Sequence, residues 1–188
     1  MLLGHNHAED LLKRALRFSQ AGETQVLVSA HESYLTRFAN NVIHQNVAEA
    51  NVGVTIRAVV GRRSGTATTN RTDDEALAQA AARALSHARR QPEDPDFPGL
   101  PDPQPIEPAP SFDEEVASLA PEGRARSVGV VCDRAAEHKF AASGAFRTSA
   151  AELAIANSHG VMAYHAGTSA DLQVVVTGED VTGQARIS

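Results

Sequence analysis

Residues 50–60 read Ala50-Asn51-Val52-Gly53-Val54-Thr55-Ile56-Arg57-Ala58-Val59-Val60. Val52, Val54, Ile56, Ala58 and Val60 recur at every second position, with Asn51, Thr55 and Arg57 between them. That period puts one set on a core and the other on the opposite face, which predicts a half-buried strand. Gly61-Arg62-Arg63 then reads as a turn into a strand over residues 64–69. Thr72 and Glu75 form a capping box for a helix whose buried face is Leu77, Ala81, Ala84, Leu85 and Ala88. Upstream, Ala8, Leu11, Leu12, Ala15 and Leu16 share one face of a helix expected to end near Ala21-Gly22. Strands are expected over residues 25–30, 33–39 and 42–47, with Asn40-Asn41 as a turn that tolerates positive φ.

The order helix, antiparallel strands, helix predicts an α+β fold with helices packed on mostly antiparallel sheets. All nine prolines lie between Pro92 and Pro121, eight of them within residues 92–110 beside Glu93, Asp94, Asp96 and Asp102. Proline removes backbone donors and fixes φ, so this stretch predicts an extended linker between two units. The expected division is residues 1–91 as an N-terminal α+β domain, 92–112 as a Pro-rich acidic linker, and 113–188 as a helix plus short strands. In the last part Pro121 suits a first helical turn, and Ala125, Val128, Cys132 and Ala135 share an inward face. Residues 141–148, 151–157, 161–166 and 170–177 follow as short strand candidates. Residues 178–188 show no closing strand, which suggests a chain cut from something longer.

The chain has 188 residues, 42% hydrophobic and 21% charged, an ordinary globular composition with room for a substantial core. No run approaches the ~18 apolar residues of a membrane-spanning helix, and the N-terminus lacks a secretory signal, so the expected location is the cytoplasm without a membrane partner. A net charge of −6 and few aromatic residues disfavour nucleic-acid binding. The single cysteine, Cys132, cannot form an internal disulfide, and its helical face predicts an inert core thiol.

Eight histidines invite a metal reading, but none of their spacings completes a ligand set. His5 and His7 have no third ligand nearby. His31-Glu32 begins like a zinc-binding helix, yet Leu35 and Thr36 stand where the second histidine would fall. His159 in a turn and His165 on the next strand lack a completing carboxylate or thiolate. There is no Gly-x-Ser-x-Gly elbow and no phosphate-binding glycine loop. The residues alone predict no catalytic and no metal-ligating group.

Tyr34-Leu35-Thr36-Arg37-Phe38-Ala39-Asn40-Asn41, then Ile43-His44-Gln45-Asn46, Gly53-Val54 with Arg57, and Gly65-Thr66-Ala67 form an ordered series. This series resembles the N-terminal domain of the TldD/PmbA family, long labelled modulators of DNA gyrase and regarded as metallopeptidases. Asn157-Ser158-His159-Gly160, Tyr164 and the strand 168–177 resemble the family's middle segment. The resemblance implies a metal site, a His-Glu-x-x-x-His helix with a later cysteine, in a C-terminal domain beyond residue 188.

On that resemblance, the chain is the substrate-guiding and dimer-forming region of a metal-dependent peptidase acting on unfolded or extended peptides. Zinc is implied for the full-length protein or its partner, in a homodimer or a heterodimer with a TldD/PmbA-like subunit. The chain alone should be inactive. The alternative is a noncatalytic PmbA-like subunit supplying chamber wall and interface, and a gyrase or nucleic-acid modulator is the less favoured reading. Strands with a polar face and free edges accept extended peptides by backbone pairing, with Arg37, His44 and Arg57 as the candidate peptide-contacting residues.

Overall fold

The alternation at residues 50–60 is the second half of a longer strand in the computed structural model, which describes residues 2–107 and 109–188. Pro108 of the expected linker lies outside the described residues, as does Met1. The elements are α1 (His5–Phe18), β1 (Glu23–Ala39), β2 (Val42–Val60), β3 (Arg63–Thr69), α2 (Asp74–Arg90), α3 (Glu114–Ala117), α4 (Pro121–Glu137), β4 (Ala141–Asn157), β5 (Met162–Thr177) and β6 (Thr182–Ile187). The strands hydrogen-bond in the order β3-β2-β1-β4-β5-β6. β2 pairs antiparallel with β3 from Val54↔Thr69 to Val60↔Arg63, and β5 with β6 from Leu172↔Ile187 to Thr177↔Thr182. The fold is α+β, as the sequence pattern predicts.

Strands expected as short pairs run on as single long ones. The chain reverses at Asn40-Asn41, Gly61 and Gly160, where φ is positive. Neither His31-Glu32 nor Ala48-Glu49 adopts such a φ, so charged or small residues there do not end a strand. Residues 178–188 do hold a closing strand, β6, against the expectation. Its six residues are all exposed, so no alternation marks it.

Two compact units are formed from interleaved stretches: Met1–His31, Asn51–Pro110 and Ala151–Ala166 in the first, and Glu32–Ala50, Ser111–Ala150 and Gly167–Ser188 in the second. β1, β2, β4 and β5 each give residues to both. In the first unit, Ala8, Leu11, Leu12 and Ala15 of α1 and Leu77, Ala80, Ala81 and Ala84 of α2 share a core with Val26, Val28, Val54, Ile56 and Ala58. Gly65 lets β3 lie directly on α2: a Cβ there would run into the Ala88 nitrogen and come 2.5 Å from the Ala84 carbonyl oxygen.

The helix ends differ from the pattern by a few residues. α1 stops at Phe18 rather than near Ala21-Gly22. α2 is capped by Asp73, not Thr72, with its carboxylate accepting from the Ala76 N–H at 3.0 Å. That bond, helped by Arg71, holds the Asp73 carboxyl below the ordinary carboxylate range. α1 begins at Gly4 with no capping side chain of its own. The buried carboxylate of Glu152 on β4 takes the Leu3 and Gly4 N–H groups at 2.6 and 2.8 Å instead.

In the second unit, Val128, Cys132 and Ala135 of α4 pack on Phe38, Ala142 and Val174. Pro121 opens α4 at its first turn, where its missing N–H costs nothing. Cys132 is core, and burial pushes its thiol pKa up, away from the reactive thiolate.

Candidate functional site

Arg37 and His44 sit on the β1–β2 hairpin of the second unit, and both are exposed. Asn40 and Asn41, at φ 50° and 62°, make the two-residue turn that joins the strands. Thr36 Oγ1 donates to Asn46 Oδ1 at 2.6 Å, and Arg37 Nη1 donates to Gln45 Oε1 at 3.3 Å. Residues 37–39 separate Thr36 from the turn, whereas residues 42–45 separate Asn46 from it. Ile43 packs with the cluster around Phe38. Arg37 and Gln45 are thus joined through their side chains, and His44 precedes Gln45 on the exposed part of β2.

Arg57, the third expected contact residue, belongs to the first unit. Its guanidinium lies 5.1 Å from the Phe97 ring centroid and donates to Ser64 Oγ at 3.4 Å. Arg57 is half-buried beneath a residue of the Pro-rich stretch, a packing role that strand alternation alone did not reveal.

Behind the hairpin tip, Arg124 of α4 is only 1% exposed. It lies over the Tyr34 ring at 5.1 Å and donates to the Leu119 carbonyl at 2.6 Å and to Thr36 Oγ1 at 3.4 Å. Burial lowers its pKa from the ordinary arginine value, while the attraction of Tyr34 and Glu122 opposes that shift. The Tyr34 hydroxyl donates to Glu32, and that bond, with burial, raises the phenol pKa. Arg124 thus braces Thr36, whose hydroxyl in turn holds Asn46 on β2. Its place in the first turn of an amphipathic helix gave no sequence signal for this.

In the first unit, Asn157-Ser158-His159-Gly160 is a docking turn for the Pro-rich stretch. Asn157 accepts from the His159 and Val161 N–H groups and donates to the Pro101 carbonyl at 2.7 Å. Glu23 accepts from the Leu100 N–H at 2.9 Å, and His159 lies 3.2 Å from Asp102 and 3.6 Å from Glu23 through opposite ring nitrogens. Because its two carboxylates approach different nitrogens, this group does not surround a common point where a cation would sit.

Among the described residues no group of three or more His, Cys, Asp or Glu side chains can hold a metal ion. The described residues therefore do not fit a metal centre. Among the described residues, no helix is long and apolar enough to cross a membrane.

Residues 25–88 match the model of PmbA/TldA metallopeptidase domain 1. No curated protein matches significantly. Three solved structures share the fold. TldE from Thermococcus kodakarensis is 20% identical with a TM-score of 0.80, over 95% of this chain and 41% of its own. A candidate modulator of a DNA gyrase from Thermotoga maritima is 13% identical with a TM-score of 0.78, over 95% and 42%. A candidate modulator of DNA gyrase from Bacteroides thetaiotaomicron is 16% identical with a TM-score of 0.74, over 98% and 45%. The chain spans less than half the length of each of these structures. Residues 25–88 thus resemble the first domain of the PmbA/TldA metallopeptidases, in a chain whose fold is shared with TldE.

Proposed function

We propose that the chain is the N-terminal, substrate-guiding and dimer-forming region of a PmbA/TldD-type metal-dependent peptidase acting on unfolded or extended peptides. The reading rests chiefly on the match of residues 25–88 to a metallopeptidase first domain. The hairpin supplies a physical means: β2 pairs with β3 only from Val54 onward, so residues 42–53 present strand backbone on their outer side. An extended peptide pairs with such an edge through main-chain hydrogen bonds, and Arg37, His44 and Gln45 contact its side chains or carboxylates. Arg57, half-buried against Phe97 in the first unit, is the third proposed peptide contact. Zinc and the hydrolytic step belong to a part of the full-length protein, or to a partner subunit, outside residues 1–188. The chain is cytoplasmic, and residues 92–112 link its folded parts.

Equilibrium binding tests this. A fluorescent unfolded peptide should bind the 188-residue chain, and Arg37→Ala should weaken binding several-fold. The same peptide with N-methylated backbone amides should bind poorly, because methylation removes the pairing donors. Equal binding of both peptides would remove the edge from the account. Added zinc should produce no chelator-sensitive cleavage by this chain.

The second reading is a noncatalytic PmbA-like subunit that supplies chamber wall and interface without hydrolysis. A His-Glu-x-x-x-His sequence beyond residue 188 supports the catalytic reading, and its absence supports the partner reading. The gyrase-modulator names of two relatives fit less well with a net charge of −6.

A further inference from the structure

The end of α1, the residues after it and one side of α2 line a groove of about 530 Å³ in the first unit. Phe18, Ala78, Ala82 and Leu85 make its apolar floor, and Arg89 and Arg90 stand at its rim. Both arginines are exposed and make no ion pair among the described residues. The dipole of α2 favours cations at its C-terminal end, but it does not account for the apolar floor beside them.

The chain also carries a segment of complementary chemistry. In the second unit Phe112 is 38% exposed, and Asp113, Glu114 and Glu115 follow it on the surface. The segment is held at both sides, since Ser111 bridges Gly167 and the Asp113 N–H donates to Thr168 Oγ1 at 3.0 Å. Asp113 is occupied in capping α3, whereas the Glu114 and Glu115 carboxylates make no ion pair among the described residues.

We propose that the groove receives the Phe112–Glu115 segment of a second copy of this chain, the Phe112 ring on the alanine floor and Glu114 and Glu115 against Arg89 and Arg90. The proposal rests on the dimer-forming reading above and names the surfaces that carry it. A chain of net charge −6 repels its own copies at long range, and a local cationic patch facing an acidic one offsets that repulsion. The rim arginines beside an apolar floor provide such a patch, and a rigidly presented aromatic flanked by carboxylates matches it in shape and sign.

Sedimentation of the 188-residue chain between about 1 and 500 μM tests the pairing, as that range covers weak and moderate dimers. The wild-type chain should associate with concentration. Arg89→Glu with Arg90→Glu should weaken association about tenfold or more, and Glu114→Lys with Glu115→Lys should do the same. The four substitutions together should restore it, and Phe112→Ala should weaken it with no change of charge. All five positions are exposed, so thermal melts matching wild type confirm that each variant folds. Association indifferent to charge reversal, or not regained in the combined variant, overturns the groove assignment and leaves the dimer-forming reading intact. A chain that stays monomeric throughout overturns both, while peptide guidance is judged separately by the Arg37 measurements.

Discussion

The Tyr164 hydroxyl donates to Glu152 Oε1 at 2.8 Å. The same buried carboxylate holds the chain entry to α1 through Leu3 and Gly4, and the Tyr164 ring meets His5 edge-on at 5.0 Å. Glu152→Ala leaves three donors without their acceptor in a partly buried setting. It should destabilise the protein by about 2–4 kcal/mol, read as a shift in denaturant midpoint at constant slope. Amides of Ala8 and Leu11 should lose hydrogen-exchange protection before those of α2. A midpoint within about 0.5 kcal/mol of wild type would show that α1 does not depend on this cap.

The same pair sets an alkaline limb. Burial first, and then the bond to Glu152, push the Tyr164 phenol from 10.0 up to about 12. The folded state holds the proton more tightly than the unfolded state, so this contribution is full below pH 10 and is lost as pH rises toward 12. The stability advantage of wild type over Tyr164→Phe should therefore shrink across that interval. An advantage that stays constant there would mean the phenol titrates alike in both states.

Two glycines should respond oppositely to the same substitution. Gly65→Ala drives a methyl group into the α2 backbone at Ala84 and Ala88, where nothing flexible can move aside. It should cost about 2–4 kcal/mol. Gly129 on α4 has open space at its Cβ position, so Gly129→Ala should be neutral or stabilise by up to about 1 kcal/mol through helix propensity. Thermal melts of the two variants decide this, and a tolerated Gly65→Ala would contradict the close seating of β3 on α2.

Legibility followed the periodicity. Val54, Ile56 and Ala58 are core as their alternation predicts, and the α1 and α2 faces were read from three- and four-residue spacing. Strand lengths were less legible, because His31, Glu32, Ala48 and Glu49 are poor strand residues held in β1 and β2 by neighbouring strands rather than by propensity. The hairpin turn at Asn40-Asn41 was visible, but the Thr36–Asn46 side-chain bond was not, since partners across two strands are set by the fold and leave no periodicity of their own. Asp102, Glu23 and Asn157 lie far apart in sequence, and only the fold shows that they tie down the stretch around Leu100 and Pro101.

Those ties refine where the Pro-rich stretch should be cut. Leu100 and Pro101 are anchored, whereas residues 104–107 are exposed and carry no secondary structure. Brief digestion with a broad-specificity protease should cut first within residues 104–107, before any bond within β1 or β2. First cuts inside β1 or β2, mapped by mass, would contradict the proposed linker.

The central claim is that this region guides extended peptides to hydrolysis performed elsewhere in the full-length protein or its partner complex. Steady-state cleavage of an unfolded peptide by that complex, compared for wild type and Arg37→Ala, tests it most directly, with bound metal measured on the same samples. The account predicts a several-fold rise in KM with kcat and metal content unchanged, because Arg37 contacts the peptide away from the reacting bond. Unchanged KM, or a fall in kcat accompanied by loss of metal, would contradict it.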